Sequence, residues 1–121
     1  MSFPARKIGY YNWHTVDWQI QYEKEIQQAE EARYRGNEGK ARVCARRAAG
    51  HVIGEYLRRN GLAAPGSSAY TRLQYLRSLP EIPPQAQEAA HHLLLRITPE
   101  HNLPVETDLI AKARWLKENL I

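Results

Sequence analysis

The 121-residue chain predicts an all-α fold, a single bundle of four to five helices. Three observations carry that expectation. Apolar residues recur at three- and four-residue steps in the candidate elements, and no segment alternates with period two. Glycine-, asparagine- and proline-rich breaks divide the chain into stretches of helix length. Hydrophobic content of 43% in a chain of this size suffices for one modest core, so residues 1–121 are expected to form one domain.

The chain opens with Tyr10, Tyr11 and Trp13, an aromatic extension over residues 1–14 expected to pack on the bundle. A first helix is expected from about Thr15 to Tyr34, with Thr15 as N-cap and Asp17 in the first turn, where its charge suits the helix dipole. Trp18, Tyr22, Ile26, Ala29 and Arg33 follow helical spacing along it, and Glu and Gln fill most other positions. Two glycines around an asparagine, at 35–39, are turn chemistry. A second helix is expected from near Glu38 to Asn60-Gly61. Its stripe is wide and small: Ala41, Cys44, Ala45, Ala48, Val52 and Tyr56, with Ala49 and Ile53 on the flank. Gly50 and Gly54, one turn apart, each cost about 1 kcal/mol against alanine in a helix, which points to a tight contact or a bend.

After a loop at 62–68, a short helix from about Ala69 to Leu79 carries Leu73, Leu76 and Leu79. Pro80, Pro83 and Pro84 end it, and Pro84 suits the first turn of a fourth helix. That helix presents Ala86, Ala89, Ala90, Leu93, Leu94 and Ile97 and is expected to stop before Pro99. A fifth helix buries Leu109, Ile110, Ala113, Leu116 and Leu120, with Glu106 and Asp108 near its positive end.

Charge is concentrated in one place. Residues 33–61 hold eight Lys and Arg against Glu38 and Glu55, a net +6 that leaves −2 for the rest of a chain whose total is +4. Lys40, Arg42, Arg46 and Arg47 on the second helix are the candidate nucleic-acid-binding residues, because such an excess concentrates phosphate-bearing ligands in a salt-dependent way. The plain alternative is a solvated helix face.

The order of these elements, with Ala48, Tyr56, Leu57, Gly61, Leu73, Leu76 and Ala113 in place, resembles the HEPN domains, small prokaryotic helical bundles, over about residues 29–120. The resemblance implies a four- or five-helix bundle that often dimerises. In active members it implies metal-independent RNA cleavage by an Arg and a His separated by four to six residues. Arg96 and His101 have that spacing and are the candidate catalytic pair. An imidazole titrating near neutrality moves a proton at the RNA 2′-oxygen while a guanidinium holds the scissile phosphate. Ile97 stands where active members usually have a polar residue, and Pro99 interrupts the spacing. Arg46 and His51 match equally, but mid-helix they stand about 140° apart and would need a partner chain to converge.

Adjacent His91 and His92 diverge by about 100° on a helix and lack a third ligand, so no metal is expected, nor any cofactor. Cys44 is either a thiol activated by neighbouring arginines or an inert core filler. The lone cysteine suits a reducing compartment, and neither a signal-peptide run nor a membrane span is expected, which places the protein in the cytoplasm. The function expected is a module binding RNA, a nucleotide or a partner protein, as a homodimer; the alternative is a ribonuclease using Arg96 and His101.

Overall fold

The computed structural model describes the backbone of residues 2–96 and 107–121 and the side chains of residues 17–96 and 107–121. Within these bounds there are five helices and no strand: α1 (Ser2–Tyr34), α2 (Glu38–Arg59), α3 (Ala69–Ser78), α4 (Pro84–Leu94) and α5 (Leu109–Leu120). The predicted all-α class and all five elements are present. The molecule is arranged around α2, which packs against each of the other four helices.

The turns that fold α1 back on α2 are built from residues the sequence marks. Gly36, at φ 80°, follows the last turn of α1, where Asn37 N–H donates to Ala32 O at 2.8 Å and Gly36 N–H to Arg33 O at 3.0 Å. This satisfies carbonyls that the helix end would otherwise leave open. Asn37 then caps α2 by accepting from Lys40 N–H at 3.1 Å. The far end of α2 repeats the device, with Gly61 at φ 70° and Leu62 N–H donating to Leu57 O at 2.9 Å. Ser68 caps α3 and Asp108 caps α5, the latter accepting from Ile110 and Ala111 N–H.

One boundary differs from expectation. Helix α1 begins at Ser2, so Thr15 lies inside it and is not its cap. Between Ala5 and His14 only Gly9 opposes a helix, and Pro4 falls in the first turn, where its missing N–H has no partner to lose. The expected packing of residues 1–14 on the bundle lies outside the described side chains. Helix α4 stops at Leu94, before Pro99 as expected, and a side chain from α2 meets the carbonyls at its end, as described below. Ile97, assigned to the apolar face of α4, lies outside the described residues.

The core follows the predicted stripes closely. Trp18, Tyr22, Ile26 and Ala29 of α1 are buried, joined by Ala32. Arg33 is not in the core; it sits at the surface and donates to Glu38 and Asp108. On α2 the expected alanines, Cys44, Val52 and Ile53 are buried together with Leu57, whereas Tyr56 is half-buried. Leu73 and Leu76 of α3, Ala86, Ala89, Ala90 and Leu93 of α4, and Leu109, Ile110, Ala113 and Leu116 of α5 complete it, while Leu79, Leu94 and Leu120 lie at its margin. Ile82, in the link between α3 and α4, is buried with them.

The paired glycines of α2 mark where α3 comes closest. A Cβ on Gly50 would stand 2.9 Å from Ala69 Cβ and 3.0 Å from Ala69 Cα, so only glycine admits the first turn of α3 there. The Arg72 side chain lies across Gly54 and donates to Gly50 O at 3.0 Å and Gly66 O at 2.7 Å. The expected tight contact is therefore made by one short helix and one arginine. Among the described residues no helix is long and apolar enough to cross a membrane.

Candidate functional site

The geometry of α2 sorts its basic residues before any contact is considered. At 100° per residue, Lys40 and Arg47 fall within about 20° of one another, and Arg42 and Arg46 within about 40°, but the two pairs lie about 130° apart. The four predicted residues thus occupy two flanks, separated by the exposed Val43.

On the first flank, Arg46 leans over the end of α4. Its Nε donates to Leu93 O at 2.6 Å and its Nη2 to Leu95 O at 2.8 Å. A guanidinium there suits the negative end of the α4 dipole and satisfies two carbonyls left open by the helix terminus. Beside it lies a recess of about 460 Å³ lined by Arg46, Tyr70, Leu94, Leu95 and Arg96. Arg96, the second residue past α4, is exposed, and its Cζ stands 5.9 Å from the centroid of the Tyr70 ring. Arg42 is half-buried, and its Nε is enclosed without an acceptor.

These three arginines are close enough to feel one another. Burial lowers the Arg46 pKa first, and the charges of Arg42 and Arg96 lower it further. Among the described residues, no carboxylate forms an ion pair with Arg42, Arg46 or Arg96. Three like charges without a paired counter-charge among the described residues are an unfavourable arrangement, and one that an anion relieves.

Elsewhere in the basic segment the charge is largely spent within the molecule. Arg33 Nε and Nη2 form a two-pronged pair with Glu38, and Arg33 Nη1 reaches Asp108 at 2.9 Å. Arg58 and Arg59 both clamp Glu55, the one buried charged residue among those described, at 2.7 to 2.9 Å. The Arg58 hydrogen bonds hold the Glu55 carboxyl below the ordinary carboxylate range.

The second flank is divided again. Lys40 borders a cavity at the α1–α2 turn with Glu31 and Arg35. Arg47 borders one between α1, α2 and the start of α3, with Glu25, His51 and Arg72. There a carboxylate faces the cations: Glu25 raises the His51 pKa, but burial, the larger effect, and Arg72 bring it below the usual histidine value.

Of the candidate catalytic pair, Arg96 belongs to the arginine cluster and His101 lies outside the described residues. Cys44 is 2% exposed, and burial raises its thiol pKa despite the nearby Arg47 and Lys40, which resolves the two readings in favour of a core filler. His91 Nδ1 meets Arg77 Nη1 at 3.1 Å.

Sequence reasoning passed over Tyr70. It sits in the first turn of α3, 46% exposed, and nothing in local periodicity connects it with a loop residue 26 positions later. The only available signal is an aromatic next to a helix start whose apolar positions are already filled by Leu73 and Leu76. No family model, curated protein or solved structure matches the chain.

Proposed function

We propose that the protein is an RNA-binding module that grips the phosphate backbone through Arg42, Arg46 and Arg96. The observation that carries this reading is one recess lined by two guanidiniums, Arg46 of α2 and Arg96 beyond α4, with Arg42 near enough for its charge to act on Arg46 and no carboxylate paired to any of the three among the described residues. Phosphate contacts of this kind release counterions, so binding is tight at low salt and weakens steeply as salt rises. Arg46 is held on α4 and Arg42 is half-buried, whereas Arg96 is exposed. The resemblance of the helix order to the HEPN domains supports RNA as the polymer and a second copy of the chain as the partner. The lone reduced thiol of Cys44 supports a cytoplasmic setting.

The test is fluorescence anisotropy of a labelled structured RNA from 50 to 300 mM KCl. Wild-type protein is expected to show a slope of about −2 to −3 in log K against log salt. Arg42→Ala and Arg96→Ala are each expected to weaken binding about three- to tenfold and to reduce the slope by about one. Affinity that ignores salt, or that survives both substitutions together, overturns the reading.

One observation favours a second reading, RNA cleavage without metal: Arg96, the candidate phosphate-holding residue, stands exposed within the cluster. Incubating the same RNA with EDTA tests it. Strand scission lost in both Arg96→Ala and His101→Ala supports a ribonuclease, and intact RNA under all conditions removes it.

A further inference from the structure

The recess beside Arg46 has more than a phosphate needs. Its wall includes Tyr70, Leu94 and Leu95 as well as the guanidiniums, and a site built for an oxyanion alone gains nothing from an aromatic ring and two leucines. Tyr70 is 46% exposed, and among the described residues no hydrogen bond holds its hydroxyl or the Arg96 guanidinium in place. The one contact between them is the guanidinium standing over the ring at 5.9 Å, near the outer limit at which a cation and an aromatic face attract. The guanidinium over the ring is therefore only loosely closed on it.

We propose that this recess seats a nucleotidyl unit, its base stacked on Tyr70 beneath Arg96 and its phosphate beside Arg46 and Arg42. The inference rests on the phosphate-binding reading above and extends it to the base. Stacked layers are spaced roughly 3.4 Å, so a base between ring and guanidinium requires about 7 Å. Arg96 has to rise by about 1 Å from its present 5.9 Å, a small displacement for an exposed side chain on four rotatable bonds. Leu94 and Leu95 offer the base an apolar edge, and the volume of about 460 Å³ falls in the range of pockets that hold a small ligand.

A site of this form reads a base by its face, so it tolerates any sequence but requires a base that is free to unstack. The predicted ligand is an unpaired nucleotide of RNA or a free mononucleotide. A base inside a duplex has both faces covered and is refused, although the duplex backbone still meets the arginines.

The experiment compares an RNA dodecamer carrying 2-aminopurine, the same strand annealed to its complement, AMP and inorganic tripolyphosphate, each at 50 mM KCl. The wild-type protein is expected to quench 2-aminopurine emission in the single strand and to bind it about tenfold more tightly than the duplex. In Tyr70→Leu, checked for folding by circular dichroism, the quench disappears and single-strand affinity falls to the duplex level, whereas duplex and tripolyphosphate binding and the salt slope are unchanged. Tyr70→Phe, which keeps the ring, restores the preference. If Tyr70→Leu quenches and discriminates like wild type, the stacking inference is overturned while phosphate binding stands. If neither RNA nor tripolyphosphate binds, both readings fall. Binding of AMP that depends on Tyr70 and is tighter than that of the strand keeps the stacking site, assigns it to free nucleotides and overturns RNA as the ligand.

Discussion

Glu55 is 4% exposed and remains charged because Arg58 and Arg59, three and four residues on along the same helix, fold back on it. Its folded pKa lies below the unfolded value of about 4.3. The sign follows: its contribution to stability is complete above about pH 5 and is lost as pH falls through the folded value. Urea midpoints measured from pH 7 to pH 3 are expected to fall at the acid end, and Glu55→Gln to lose about 2 kcal/mol at pH 7 while showing a flatter acid limb. The arginine cluster carries the opposite expectation. Because Arg42, Arg46 and Arg96 repel one another, Arg96→Gln is expected to leave the melting temperature unchanged or raise it by one or two degrees at low salt while weakening RNA. A melting temperature lowered by several degrees contradicts the account. Cys44, buried with a raised pKa, is expected to react with a thiol reagent at least about a hundredfold faster in urea than in the native protein.

At the scale of elements, the informative helix is α2. Its small residues let four neighbours approach, and the contacts with α3 and α4 are made by different means. Against α3 the contact depends on Gly50, where Ala69 stands too close for a Cβ. Gly50→Ala is expected to cost about 1–3 kcal/mol despite its better helix propensity, because backbone has to move. Gly54→Ala meets only the Arg72 side chain, so it is expected to cost less, and the order of the two thermal midpoints checks this. Against α4 the contact is polar: Arg46 Nε and Nη2 donate to the carbonyls of Leu93 and Leu95 where that helix ends. Arg46→Met is accordingly expected to destabilise by about 2 kcal/mol, in contrast with Arg96→Gln, since two carbonyls lose a charged donor. The glycine positions were legible as signs of close approach, because a helix interior tolerates them only for a reason. The role of Arg46 was not, because a capping partner 47 residues away leaves no mark on local periodicity.

For the molecule as a whole, cross-helix ion pairs link the periphery of α5 to its neighbours: Arg114 to Glu30, Arg33 to Asp108 and Lys112 to Glu88. These pairs are largely exposed and contribute little each, so the bundle depends on its core of some two dozen apolar side chains, alanine at ten of them. The sequence alone determined the all-α class, the number and order of the helices, the turns at Gly36 and Gly61 and most of that core. Each of these depends on residues within one or two helical turns, where spacing and turn chemistry are written directly in the chain. The tertiary structure decided the site. It paired Arg33 with Asp108 at the start of α5, pinned Arg46 to α4 and brought Tyr70 and Arg96 to one recess. Those outcomes depend on which helix packs against which face, and charge acts through space, so a count of arginines along the chain does not report how many remain free to meet a ligand.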